Sequence, residues 1–167
     1  MKTFFLIFLL FPLVSKSQNC DSLMTKDVDK FTDKVSYFTR PDIIRMRGKN
    51  VELLMNLSKS ESGRNYLSFI VNQSGFGCTD EDNVIYFLFT DGTKANFKNS
   101  SSFSCQGSSF IALDKNHREN KPLIDLLQNK KISAIKINSR LSSYEVQLDN
   151  EESEIFMQGC KCIFSLK

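Results

Sequence analysis

Apolar and polar side chains alternate most sharply over residues 83–98, NVIYFLFTDGTKANFK. Two runs of strand-forming residues flank Asp91-Gly92, a dipeptide that favours the tight turn of a two-residue β-hairpin. Such a turn sets Thr90 opposite Thr93, Leu88 opposite Ala95 and Tyr86 opposite Phe97. Val84, Tyr86, Leu88, Ala95 and Phe97 then share one face, because side chains alternate along a strand. On the other face Ile85, Phe87 and Phe89 stand against Lys94, Asn96 and Lys98. The first strand is apolar on both sides, which predicts an internal strand with cover on both faces.

The remaining pattern fills in around this hairpin. Residues 21–33 are polar, anchored only by Leu23, Met24, Val28 and Phe31, and read as a loose arm or a short helix. Residues 35–40 and 43–47 alternate in short stretches interrupted by Pro41, with Arg45 and Arg47 on one side and Ile44 and Met46 on the other. Val51, Leu53, Met55 and Leu57 make an inward face over residues 51–57. The turn signal Ser62-Gly63 joins that run to residues 66–71, a second hairpin. Residues 72–82 and 99–109 read as loops, and 110–113, 132–137 and 144–148 as further strands.

Helical signals come late in the chain. Pro122 suits the first turn of a helix, where its missing N–H costs nothing, and Leu123, Ile124, Leu126 and Leu127 supply an apolar stripe. Asp149 and Glu152 have the spacing of a capping box, and Ile155, Phe156, Gly159, Cys160 and Ile163 fall on one helical face. As a strand, the same segment would add a sheet edge and point Cys160 and Cys162 to one side. The order of elements predicts an α+β fold: a mostly antiparallel β-sheet or sandwich of about seven to nine short strands, with a short helix near 122–130 and a C-terminal helix near 150–160. No repeat, linker or break in composition divides residues 18–167, which read as a single β-rich domain.

The start of the chain has a different character. Lys2 precedes an apolar run over residues 4–14, followed by Ser15-Lys16-Ser17, the layout of a signal peptide cleaved after residue 17. The run is shorter than the roughly 20 residues a membrane-spanning helix needs. Its ending in Ser-Gln resembles that of small exported β-rich proteins of diderm bacteria, which implies a secreted or periplasmic location. Acylation of Cys20 as a lipoprotein is disfavoured by Asn19 and Ser17 at the two positions that pattern constrains. Removing the segment takes out two lysines and no acids, so the formal charge falls from +3 to +1. A near-neutral exported domain has no general attraction for nucleic acid.

All five cysteines follow the signal segment: Cys20, Cys78, Cys105, Cys160 and Cys162. In an oxidising compartment these give two bridges and one thiol. Cys78 and Cys105 lie in the loops flanking the central hairpin and form the preferred pair. Cys20 with Cys160 or Cys162 would then tie the two ends together.

Candidate chemistry is sparse. His117 is the single imidazole and sits in a charged loop, a poor setting for a nucleophile's base. Cys160-x-Cys162 lacks the second ligand pair of a structural metal site, and Asp80-Glu81-Asp82 lacks the oxygen alternation of a calcium loop. Neither cofactor nor metal is therefore expected. Arg45 and Arg47, with Arg40 and Lys49 nearby, form a basic strip able to contact an anionic glycan or lipid headgroup. Sequons occur at Asn56, Asn72 and Asn99, the last placed in an exposed loop. These features favour an exported, non-enzymatic binding or interaction module of the envelope or extracellular space, with a surface protein or glycan as partner. The alternatives are a secreted hydrolase using a carboxylate pair from the loop of Asp80 and Asp82, and a carrier of a small apolar ligand, prompted by the many phenylalanines.

Overall fold

The computed structural model describes residues 20–40, 45–48, 51–72, 75–114 and 118–166, with only the backbone of 45–48 and 51. The signal segment 1–17 and His117 lie outside the described residues. In chain order the elements are α1 (Cys20–Leu23), β1 (Met24–Val28), β2 (Val35–Thr39), β3 (Arg45–Gly48), β4 (Val51–Lys59) and β5 (Asn65–Asn72). There follow β6 (Val84–Phe89), β7 (Lys94–Lys98), β8 (Ser108–Leu113), α2 (Lys121–Asn129), β9 (Ile132–Asn138), β10 (Ser143–Gln147) and α3 (Asn150–Ser165). The expected α+β class holds, with the strands in two antiparallel sheets. One sheet runs β1-β2-β4-β5-β8, with β3 also pairing with β4; the other runs β10-β9-β6-β7.

The two sheets share one core. Leu53, Met55, Leu57, Leu67 and Phe69 of the first and Ile85, Phe87, Ile135 and Ile137 of the second are all buried in it. The rings of Phe69 and Phe87 meet between the sheets, their centroids 6.3 Å apart. Each such side chain contributes roughly 1.5–3 kcal/mol by leaving water. Much of the phenylalanine that prompted the carrier reading is this packing: Phe69, Phe87, Phe89 and Phe156 are fully buried.

Helix α3 packs against β1, β2, β4 and β9 as well as α1 and α2. Its start is the expected capping box. Asp149 Oδ1 accepts from the N–H groups of Glu151 and Glu152, each at 2.8 Å, and Glu152 Oε2 accepts from the Asp149 N–H at 2.9 Å. It continues five residues beyond the expected end because Cys160, Cys162, Ile163 and Phe164 are all buried. Helix α2 carries Pro122 in its first turn and buries Leu123, Ile124 and Leu127.

Three expectations need correction. Of the loose arm or short helix expected over residues 21–33, the short helix is present as α1, but it leads into a strand, β1, which pairs with β2 from Met24–Thr39 to Val28–Val35. The hairpin between them is closed by Asp29, whose Oδ1 accepts from Phe31 N–H at 2.8 Å and Thr32 N–H at 2.9 Å. Only Met24 of this strand is buried, so the pattern of the strand itself carries little signal.

The central hairpin is out of the expected register by one residue. Phe89 N–H donates to Thr93 O and Gly92 N–H to Phe89 O, each at 2.9 Å, leaving a three-residue loop with Gly92 at φ +83°. Asp91 Oδ1 accepts from Thr93 N–H at 2.9 Å inside it. This is a turn followed by a left-handed glycine bulge, the second common way for Asp-Gly to close a hairpin. Phe87 therefore faces Ala95 and Ile85 faces Phe97. The slip moves Ala95 and Phe97 to the side of the core and leaves Tyr86 and Leu88 with Lys94, Asn96 and Lys98. Strand β6 is internal, between β7 and β9, as expected. Its outer face, however, has no full cover, with Tyr86 40% and Leu88 37% exposed.

Two disulfides close the fold, Cys78–Cys105 and Cys20–Cys162, and Cys160 is a free, buried thiol. The first joins the two loops at the base of the central hairpin, beside the bridge between Thr79 and Ser104. The second ties α1 to α3. Both fit an oxidising compartment. Burial pushes the Cys160 thiol well above its ordinary range, so it stays protonated and inert. The sulfur of Cys20, being in a disulfide, is not available for a thioether to lipid.

Candidate functional site

The outer face of the second sheet is built in rows across its strands. Tyr86 lies between Asn96 of β7 and Lys136 of β9, and Lys136 in turn faces Glu145 of β10. In the next row Leu88 lies between Lys94 and Ala134. Direct cross-strand neighbours sit about 5 Å apart at Cβ and diagonal ones about 7–8 Å, so one tyrosine ring is within reach of several ammonium and amide groups. A hollow of about 500 Å³ lies over these rows, with Tyr86 and Leu88 as its apolar floor. Ser133 Oγ donates to Leu88 O at 3.1 Å beside a register shift in β9, which adjusts the pleat at that end.

At the far end of the same face a second hollow of about 440 Å³ continues from Lys136 and Asn138 to the turn 139–142. That turn is fixed by its serines: Ser139 and Ser142 both donate through Oγ to Phe76 O, the latter at 2.9 Å. Arg140 is held three ways. Its N–H donates to Cys78 O at 3.0 Å, its Nε to Asp80 Oδ2 at 2.5 Å, and its guanidinium lies 5.1 Å from the ring centroid of Phe103. Phe103 is 59% exposed and Leu141, beside Arg140, is 81% exposed.

Asp80 is thus a structural carboxylate. The Arg140 hydrogen bond, assisted by the backbone N–H of Asp82, holds it below the usual aspartate range, so it has no proton to donate at neutral pH. Asp82 and Glu81 are exposed. Among the described residues no group of three or more His, Cys, Asp or Glu side chains is placed to hold a metal ion. No helix among them is long and apolar enough to cross a membrane.

Other expected site residues fall as follows. Arg45 and Arg47 lie on β3 opposite Leu54 and Glu52, and β3 runs beside β10; their side chains lie outside the described residues. The sequon at Asn99 is not in an exposed position, as expected from its serine-rich surroundings, but 3% exposed. Its Nδ2 donates to Asp80 O at 2.8 Å, and its Oδ1 accepts from Phe110 N–H at 3.0 Å. Asn56 Nδ2 is likewise engaged, with Thr39 O at 3.3 Å, whereas Asn72 is exposed at the end of β5. The sheet face around Tyr86 and the clamp around Arg140 were not foreseen from the sequence. Comparison with family models, with curated proteins and with solved structures finds no match.

Proposed function

We propose that the chain is an exported, non-enzymatic binding module of the envelope or extracellular space, and that the outer face of the β7-β6-β9-β10 sheet is its contact surface. The observation that carries this reading is the pair Tyr86 and Leu88, 40% and 37% exposed at the centre of a sheet face and roofed by a hollow of about 500 Å³. Apolar groups flanked by convergent polar ones in a concavity are what a binding site requires. The backbone beneath them is committed to the sheet ladder, so the platform is rigid and needs no reordering to bind. Export is supported by the layout of the first 17 residues and by the two disulfides. The carboxylate that a hydrolase would draw on from the loop of Asp80 is engaged with Arg140.

The test uses protein recovered from the exported fraction, whose N-terminus is read by mass spectrometry and is expected at Gln18. Wild type and Tyr86→Ser/Leu88→Ser are compared for binding to envelope and extracellular-matrix fractions of the producing cells. Losing a central aromatic contact weakens binding by about 1–2 kcal/mol, some five- to thirtyfold, at unchanged melting temperature. Equal binding by the two proteins would remove this face from the proposal.

A further inference from the structure

Resting on the reading of this face as a contact surface, we infer that its ligand is an acidic polysaccharide, bound as an extended chain across β6, β7 and β9. Charge is the first argument. Lys94, Lys98 and Lys136 are exposed around Tyr86 and make no ion pair among the described residues. The lysines at the hairpin-turn end of the sheet, by contrast, are spent: Lys130 pairs with Asp91 at 2.7 Å and Lys131 with Glu154 at 2.8 Å. Glu145 is the acid in the row with Tyr86 and Lys136, so the rows around Tyr86 keep an excess of positive charge. A concave face with a net positive charge attracts and orients an anionic ligand.

Geometry sets the ligand's length. Lys94 and Lys98 are four residues apart on β7, about 14 Å at the rise of a strand. An occupant that meets both, and Lys136 across the sheet, is an oligomer carrying repeated anionic groups. Its chemistry follows from what the face lacks. At the centre of the face the backbone N–H and C=O groups of β6 and β9 are consumed by pairing on both sides. An occupant lying over Tyr86 and Lys136 therefore meets no free strand edge, which the sheet offers only at the far sides of its outer strands, β7 and β10. On this face recognition falls to side chains: a tyrosine ring and a leucine for the C–H face of a sugar ring, the exposed Asn96 for hydroxyls, and ammonium groups for carboxylate or sulfate. The Asn96 amide both donates and accepts, matching hydroxyl groups that do the same.

The test adds a short uronate oligomer to isotope-labelled, disulfide-intact protein and follows backbone amide shifts. A neutral glucan of equal length, poly-L-glutamate, phosphatidylglycerol vesicles and oligothymidylate are the parallel probes. The expected result is shifts at Tyr86, Leu88, Asn96 and Lys136 with the uronate oligomer and none with the others. Affinity falls about tenfold or more between ~0.01 M and ~1 M salt, as the screening length shrinks from ~30 Å to ~3 Å. Lys94→Gln/Lys136→Gln removes most of that salt dependence, while Tyr86→Ala weakens binding at both salt levels. Equal binding of the neutral glucan overturns the charge argument. Shifts on the same residues with poly-L-glutamate, vesicles or oligothymidylate, in place of the uronate, overturn the ligand class and leave the surface standing. Absence of shifts on this face with every probe overturns both.

Discussion

Removing the bridge between Cys20 and Cys162 gives the most demanding test of how this fold is held together. The two residues are 142 apart in sequence, against 27 for Cys78 and Cys105. A disulfide stabilises mainly by denying the unfolded chain the conformations in which its ends are apart, and the effect grows with the logarithm of the loop. In that treatment the long loop is worth about 5 kcal/mol and the short one about 3.5 kcal/mol. Against a total stability of about 5–15 kcal/mol, either loss is large, and the first can leave the chain largely unfolded at room temperature. The variants are Cys20→Ala/Cys162→Ala and Cys78→Ala/Cys105→Ala, with both partners replaced so that no odd thiol is left to exchange with Cys160. Alanine avoids placing a hydroxyl in the buried position of Cys162. Urea unfolding followed by far-ultraviolet circular dichroism reads the difference directly, and the m-value should rise as the unfolded chain expands. The expected order is a loss larger by about 1.5 kcal/mol for the Cys20/Cys162 variant. A larger loss from the Cys78/Cys105 variant refutes the loop-closure reasoning, and places the stabilisation in the native packing of the two loops.

Further predictions concern the register, the electrostatics and the backbone. Phe87→Ala, which empties a buried position between the sheets, should cost about 3–5 kcal/mol, whereas Tyr86→Ser on the adjacent outward position should stay within about 0.5 kcal/mol; similar losses would restore the two-residue turn. Asp80, Asp91 and Glu154 are held below their ordinary ranges by Arg140, Lys130 and Lys131 respectively. Their folded values lie below the unfolded ones, so the stabilisation is complete above the ordinary carboxylate range and is lost as pH falls through the depressed values. Melting temperature should therefore hold steady down to about pH 4–5 and drop below it, and Asp80→Asn should shallow that drop; a decline beginning near neutrality would contradict the assignment. Gly107 has φ +69°, and an added Cβ would sit 2.3 Å from Val71 O, so Gly107→Ala should destabilise by more than about 1 kcal/mol in thermal melts.

What the chain disclosed in advance was whatever depends on neighbours in sequence. Asp149 with Glu152, Pro122 ahead of a leucine stripe, and Ser62-Gly63 between two alternating runs each mark their element through groups within one turn of each other. The register of the central hairpin did not follow from its turn, since Asp-Gly closes both two- and three-residue loops. In the observed pairing Ala95 and Phe97 stand opposite Phe87 and Ile85 on the core side. Because the first strand is apolar on both sides, its pattern fits either register, and the exposed row of Tyr86 and Leu88 follows from the observed pairing. Strand β1 stayed hidden because its place depends on β2. The engagement of Asp80 depends on a residue 60 positions away, and that of Asn99 on contacts 11 and 19 positions away. Long-range partners of this kind leave no local pattern to read.

The covalent tie between α1 and α3 also imposes an order on the molecule's making. Synthesis runs from the N-terminus, so Cys20 is made 142 residues before its partner Cys162 in α3. In the interval Cys78 and then Cys105 are made before the partner of Cys20 exists. The thiol that must be kept waiting is therefore the oldest one, and its correct bond is the last to form. Native pairing therefore requires that Cys20 stay unpaired, or that any bond it makes earlier be exchanged, until α3 is complete.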